Sequence, residues 1–318
     1  MRRFAGMHRL SRALPITIAA LAALLLPAAL AGPAMANDDD DARTWTVQVG
    51  SETPNKAIQG MSFLPKNIYV NAGDTVKWVA NSAEIHTVTF LAKGKKLKEF
   101  DPFNPAELLQ RGRHSYDGKS YYNSGVMSNV RDSGFPAVKR YSLVFPHTGN
   151  FTYYCLVHGK AMKGSVHVRR DDTSYPFTQK QYDRHSRAVE RAIVRDGHAL
   201  ERIAEHQAGK HKVIEGADDG VAMVMRFFKP TIVIHVGEKV TFVNNGMGAP
   251  HTVTFGKEPA NPFAKTGNPA HFTGGNLSSG VQGPDTKFTV TFKKAGTFKY
   301  ICALHDFMGM VGKVIVQK

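Results

Sequence analysis

The feature that most constrains this chain is a loop motif that occurs twice, each time between two segments rich in β-forming residues. In the second half, Cys302-Ala-Leu-His305 is followed by Met308 and Met310. In the first half, Cys155-Leu-Val-His158 is followed by Met162. A thiolate, an imidazole and a thioether on one short loop form a soft ligand set, which suits a copper ion that must be held as both Cu(I) and Cu(II). The repeated loop therefore predicts a metal site in each half.

A further ligand comes from an upstream segment, His-Thr-Val-Thr-Phe, which begins at His86 and again at His251. Two histidines and a cysteine with a distant axial methionine form the geometry of blue copper electron-transfer sites. Zinc is a weaker candidate because a thioether is a poor zinc ligand. A disulfide between the only two cysteines would leave both histidine sets unexplained. The candidate ligands are His86, Cys155, His158 and Met162 in the first half, and His251, Cys302, His305 and Met310 in the second, with Met308 as an alternative to Met310.

The segments around these loops repeat as well, which predicts two domains of similar architecture. Short strand-like runs separated by turn signals indicate an all-β fold of two Greek-key β-sandwiches. We assign residues 43–169 to the first domain and residues 217–318 to the second. Residues 170–216 form a linker with an amphipathic helix, which the capping-box pattern Thr178-x-x-Gln181 opens and which ends near Gly209.

The first 36 residues have the pattern of a signal peptide. A segment with four arginines precedes the apolar run Ile16–Leu30, and Ala34-Met35-Ala36 matches a cleavage site, so we expect the mature chain to begin near Asn37. An uncleaved membrane anchor is the alternative. No later apolar run approaches the ~20 residues of a transmembrane helix, so the mature chain is predicted to have none and to be periplasmic or secreted.

The charge of the chain favours an acidic partner. The whole chain carries a formal charge of +15, and without the four leader arginines it keeps 37 basic against 26 acidic residues. A basic exported protein can be attracted at long range to anionic lipid, to acidic polymers or to an acidic redox partner. The densest basic run, Lys93-Gly-Lys-Lys-Leu-Lys98, lacks the interleaved aromatic residues of a nucleic-acid platform, so no nucleic-acid partner is expected.

The segment Cys302–Val316 resembles the copper loop of plastocyanins and pseudoazurins, which are members of the cupredoxin family. Met310-Val-Gly-Lys-Val and Met162-Lys-Gly-Ser-Val both match the family ending Met-x-Gly-x-Val, although the first loop is one residue shorter. The resemblance thus favours Met310 over Met308 as the axial ligand. It also implies that Thr87 and Thr252 tie each histidine strand to its cysteine loop by hydrogen bonds.

These observations predict an exported blue copper protein that carries electrons through two type 1 copper sites, with His158 and His305 on exposed loops as the edges where electrons enter and leave. A non-catalytic copper-binding or storage protein of the cell envelope is the alternative. A two-domain copper oxidoreductase such as a nitrite reductase is less favoured, because neither cysteine has a histidine beside it and no His-x-His pair accompanies the upstream histidines. We therefore expect no enzymatic activity.

Overall fold

The computed structural model describes residues 42–131 and 133–318, so the predicted signal peptide lies outside the described residues. The first half contains β1 (Thr44–Glu52), β2 (Ile58–Leu64), β3 (Asn67–Asn71), β4 (Thr75–Ala80), β5 (Thr89–Phe90), the short helix α1 (Pro105–Leu108), β6 (Gln110–Arg111), β7 (Tyr122–Ser124), β8 (Arg140–Val144), β9 (Gly149–Cys155) and β10 (Gly159–Arg169).

A long helix, α2 (Gln179–Gln207), connects the halves. The second half contains β11 (Lys212–Asp218), β12 (Ala222–Phe228), β13 (Thr231–His235), β14 (Lys239–Asn244), β15 (Thr254–Phe255), β16 (Lys265–Thr266), β17 (Leu277–Ser279), β18 (Thr286–Thr291), β19 (Gly296–Ile301) and β20 (Val311–Gln317), with 3-10 turns at Pro269–His271 and Asp306–Met308. The predicted second domain begins at residue 217, whereas the first strand of the second half begins at Lys212.

Each half is a sandwich of two sheets. In the first half, β2-β1-β4-β8 packs on β3-β10-β9-β5-β7-β6, and in the second, β12-β11-β14-β18 packs on β13-β20-β19-β15-β17-β16. Buried side chains from both sheets meet in an apolar core, which includes Trp78 and Tyr153 in the first half and Phe242 and Tyr300 in the second. The predicted all-β fold of two sandwiches with a linker helix is confirmed. Among the described residues, no helix has both the length and the apolar character needed to cross a lipid bilayer.

The two sandwiches share one sheet, because β2 pairs antiparallel with β12 and joins eight strands into a continuous layer. At the centre of this pairing, Gln59 lies opposite Met223. On either side, Met61 N–H donates to Val221 O at 2.7 Å and Met225 N–H donates to Ala57 O at 2.8 Å. The halves are thus fixed to each other by backbone hydrogen bonds as well as by the linker.

This seam is symmetric. In the first half, the hairpin of β1 and β2 pairs Ser51 with Gly60. In the second half, the hairpin of β11 and β12 pairs Ala217 with Val224. Gly60 and Val224 therefore occupy equivalent positions of the repeat. Across the seam, Gly60 pairs with Ala222 and Val224 pairs with Ile58, which are again equivalent residues. The register therefore indicates an approximate two-fold axis between the halves, as in the isologous contact of a symmetric dimer.

Helix α2 packs over the seam. It starts at the predicted capping box, in which Thr178 Oγ1 accepts from Gln181 N–H and the Gln181 side chain accepts from Thr178 N–H, and it continues without a break through Gly197. A Cβ atom on Gly197 would lie 2.5 Å from Ile58 Cγ2, so only glycine allows this close approach to β2. Further along, Ala204 packs in one apolar cluster with Ile58 and Val224, and the helix thus contacts both halves.

Candidate metal centres

The structure brings three predicted ligands of each half together. In the first half, Cys155 Sγ lies 3.3 Å from His158 Nδ1 and 3.9 Å from His86 Nδ1. In the second half, Cys302 Sγ lies 3.4 Å from the Nδ1 of His305 and 3.9 Å from that of His251, and these two nitrogens are 3.2 Å apart. In each triad the three donor atoms lie within 4.8 Å of one another.

The strand order explains this convergence. Cys155 is the last residue of β9, and Cys302 directly follows β19, so each cysteine stands where a central strand leaves the sheet. The following turn brings the loop histidine back over the cysteine. The upstream histidine arrives on the segment before β5 or β15, which pairs with the cysteine strand. Both cysteines are fully buried, so the sulfur of each triad is enclosed by the protein.

The structure separates the two candidate axial methionines of the second half. Met310 is fully buried in the same apolar cluster as Cys302, and its carbonyl oxygen accepts from Cys302 N–H at 3.0 Å. Met308 packs instead in the apolar cluster of the first half, beside Met223 and Met225. In the first half, Met162 shares the cluster of its own cysteine. The placement supports Met310 as the axial donor and gives Met308 a role in joining the halves.

Replacing these methionines gives a direct test of that assignment. We expect Met310→Leu to shift both the reduction potential and the absorption spectrum of the second site, because an axial thioether tunes both. The matched control, Met308→Leu, should leave the spectrum unchanged and cost less than about 1.5 kcal/mol of stability, since it conserves apolar volume. Redox titration and thermal unfolding measure both variants. A spectral shift in Met308→Leu alone would contradict the assignment.

Both threonines that follow the upstream histidines make the predicted connection. Thr87 Oγ1 accepts from Leu156 N–H at 2.8 Å, and Thr252 Oγ1 accepts from Ala303 N–H at 2.7 Å. The backbone N–H of each threonine also donates to the cysteine Sγ of its half, at 3.4 and 3.3 Å. Such contacts orient a ligand and stabilise the negative charge of a thiolate.

Two glycines beside the upstream histidines were not identified from the sequence. Gly50 and Gly216 have φ angles of +73° and +65°, and a Cβ atom there would lie 2.5 Å from His86 Nε2 and 2.2 Å from His251 Nε2, respectively. Each lies at a register shift in the first strand of its half, where a glycine bulge is typical. The two glycines occupy equivalent positions of the repeat, and this repetition is the sequence signal that could have identified them.

Burial keeps the donor groups uncharged when no cation is bound. Burial and, to a smaller extent, charge repulsion from the nearby His305 lower the pKa of His158 to about 3. Burial also lowers the pKa of His305 to about 4. It raises the pKa of Cys155 to about 11 and that of Cys302 to about 12, against hydrogen bonds from the backbone. Neutral imidazoles are ready to bind a metal, whereas the thiols ionise when a cation supplies the compensating charge. This donor set fits copper in both oxidation states.

The expectation that His158 and His305 lie on exposed loops is wrong. Their side chains are 8% and 7% exposed and face each other across Glu84. His158 Nε2 lies 3.8 Å from Glu84 Oε1, and His305 Nε2 lies 3.6 Å from Glu84 Oε2. The pairing of β2 with β12 turns the two ligand loops toward each other, and this pairing has no signature in either loop.

The two sites differ in their surroundings. Glu215 is fully buried, and both of its carboxylate oxygens accept from Gln282 Nε2, at 2.6 and 2.7 Å. Burial raises the pKa of Glu215 to about 8, and the Gln282 hydrogen bond opposes this rise. The equivalent residue of the first half is Val49. In the first site alone, Ser82 Oγ contacts the upstream histidine, at 2.9 Å from His86 Nε2. We therefore expect the sites to have different reduction potentials.

Comparison with known proteins links both halves to one family. The sequence-family model for the copper-binding proteins of the plastocyanin/azurin family matches residues 51–169 and 212–317. A chloroplastic plastocyanin of Physcomitrium patens is 33% identical over 131 residues, which are 41% of this chain and 71% of that protein. Plastocyanin B'/B'' of Nicotiana tabacum is 34% identical over 110 residues, 33% of this chain and 99% of that protein. Among solved structures, amicyanin from Paracoccus versutus is 27% identical, with a TM-score of 0.24, over 36% of this chain and 89% of that one.

Proposed function

Because this chain belongs to the plastocyanin/azurin family of copper-binding proteins, we propose that it carries electrons through two mononuclear type 1 copper sites, one in each half. The observation that carries the proposal is the buried triad of two imidazole nitrogens and one sulfur, which occurs twice with nearly the same distances. The proposed ligands are His86, Cys155, His158 and Met162 in the first site, and His251, Cys302, His305 and Met310 in the second.

The surrounding residues support electron transfer because their hydrogen bonds and close packing restrict the movement of the ligands. A bound copper ion supplies a one-electron redox couple. The threonine hydrogen bonds fix each cysteine loop to its histidine strand, and the glycines Gly50 and Gly216 let the backbone support the imidazoles. The burial of the cysteines excludes water from the sulfur atoms. A site that does not rearrange on oxidation or reduction exchanges electrons with little reorganisation.

Voltammetry of the copper-loaded protein tests this function against copper storage. We expect two copper ions per chain, an intense thiolate-to-copper band near ~600 nm, and two reversible one-electron waves. The two waves should occur at different potentials, because the buried Glu215 lies at the second site and has no acidic counterpart at the first. Tightly bound copper without reversible waves would favour storage and contradict the proposal.

The proposal includes export to the periplasm or the exterior, an acidic redox partner and no catalytic turnover. The leader pattern supports export, and the excess of basic residues supports the attraction of an acidic protein surface. Steady consumption of nitrite by the copper-loaded protein, with an excess of a small reductant, would contradict the absence of turnover and favour the oxidoreductase alternative.

A further inference from the structure

Glu84 lies between the two candidate metal centres, and each of its carboxylate oxygens faces the loop histidine of one of them. The residue is 6% exposed, and Oε2 has no hydrogen-bond partner among the described residues. The distances of 3.8 and 3.6 Å from its carboxylate oxygens to His158 Nε2 and His305 Nε2 are longer than those of direct hydrogen bonds. A histidine that binds a metal through Nδ1 carries its proton on Nε2 and commonly directs it at a carboxylate. One carboxylate thus faces the outer nitrogen of a ligand from each site.

The loop that carries Glu84 is held firmly in the first half. Glu84 N–H donates to Gln59 Oε1 at 3.3 Å, and Ala83 N–H donates to Glu52 Oε2 at 2.9 Å. On the other side, Ser128 Oγ donates to Ala83 O at 2.9 Å. Gln59 is also the residue at the centre of the seam, so the position of Glu84 is tied to the pairing of the two halves.

The ligand loop of the second half is also anchored across the junction. The guanidinium of Arg226 donates to the carbonyl oxygens of Met308 and Asn55, each at 2.7 Å. Met308 itself is 3% exposed within the apolar cluster of the first half. The backbone three residues beyond His305 is therefore fixed to the opposite half, which keeps this histidine against Glu84.

The approximate symmetry has one local exception at this point. Glu84 precedes His86 by two residues, and the equivalent residue before His251 is Ala249. Near the two-fold axis, a second carboxylate would place like charges together in a buried space, which is unfavourable. A single glutamate at the axis instead serves both imidazoles. The alanine at the equivalent position, 5% exposed, leaves room for this arrangement.

We propose that the two sites exchange an electron within one molecule across the junction of His158, Glu84 and His305. In this step, one site passes from Cu(I) to Cu(II), the other passes from Cu(II) to Cu(I), and neither a proton nor a third reactant is consumed. The inference depends on the proposed function, since both sites must hold redox-active copper. It assigns the buried histidine edges to transfer between the sites, so that external partners exchange electrons elsewhere on the surface.

The shared contact can be tested without any electron-transfer measurement. In the diamagnetic Cu(I) protein, NMR detects the Nε2–H signals of the histidine ligands. We expect Glu84→Gln to shift the signals of both His158 and His305. The matched control is Glu215→Gln, a buried carboxylate of the second half alone, which should leave the His158 signal in place. If Glu84→Gln shifts the signal of one histidine only, the carboxylate is not shared and the proposal fails.

Transfer itself is tested by flash reduction of the oxidised full chain with a small photogenerated reductant, at less than one electron per molecule. Met162→Leu is introduced to make the spectra of the two sites distinct. We expect a first-order redistribution whose rate constant does not depend on protein concentration, and its loss in the protein that also carries Glu84→Gln. A rate that rises in proportion to protein concentration would overturn the proposal.

These outcomes are separable from failure of the proposed function. Two reversible waves with only concentration-dependent redistribution would leave the carrier function intact and reject the internal step. Absence of the waves would reject both. If Glu84→Gln unfolds the protein, which circular dichroism detects, the concentration dependence measured with Glu84 in place decides alone.

Discussion

Replacing Cys302 with serine is expected to remove one of the two copper ions and about half of the band near ~600 nm, because that band arises from a copper–thiolate bond. Cys155→Ser should have the same effect on the first site, and the double variant should lose the band altogether. A serine hydroxyl is similar in size but is not a soft anionic ligand. Copper analysis and absorption spectroscopy of the loaded full chain measure these changes.

The matched control for the cysteine variants is a histidine outside both triads. His198 is exposed on α2, where its Nδ1 lies 2.7 Å from Glu201 Oε2, and it belongs to neither triad, so His198→Ala should keep both copper ions and the full band. If Cys155→Ser leaves both the copper count and the band unchanged, the first triad is not a blue copper site. Loss of all copper in either single variant would show that the two sites do not bind independently.

Replacing Gly216 with alanine is expected to displace His251 and abolish tight copper binding at the second site. The added Cβ would lie 2.2 Å from His251 Nε2, a distance that the buried imidazole can relieve only by moving. The positive φ of this residue, +65°, adds about 1–2 kcal/mol of backbone strain for any residue with a side chain. Copper titration and thermal unfolding of the metal-free protein should show both losses.

A second glycine, Gly237, distinguishes the effect of backbone strain from that of contact with the imidazole. Its φ is +93°, and nothing lies within 4 Å of the position of an added Cβ. Gly237→Ala should therefore lower stability by the backbone cost alone and keep both copper ions. Equal copper loss in the two variants would mean that strain, and not contact with the imidazole, determines binding. Gly50→Ala provides the corresponding test at the first site.

The local parts of both sites could be predicted from the sequence because their determinants are close together along the chain. A cysteine at the end of a strand and a histidine three residues later must meet in the following turn. The upstream histidine was recognisable because the same five-residue segment occurs twice. The hydrogen bonds of Thr87 and Thr252 were likewise predictable, since each threonine directly follows a ligand.

The relation between the halves could not be predicted, because it depends on β2, which has no clear strand pattern. Ile58-Gln-Gly-Met-Ser-Phe-Leu64 is almost entirely buried, with the sandwich core on one face and α2 on the other. It therefore lacks the alternation of apolar and polar residues that identifies a half-exposed strand. Without the pairing of β2 and β12, nothing in the sequence placed Glu84 between His158 and His305.

The seam between β2 and β12 also determines how the molecule responds to dilution. Two separate chains held by the same pairing would form a dimer that dissociates as its concentration falls. Here α2 links the partners covalently, so their association is intramolecular and does not depend on protein concentration. The junction at Glu84 is therefore maintained in a scarce protein as well as in an abundant one. The covalent link thus makes the face-to-face placement of the two centres independent of expression level.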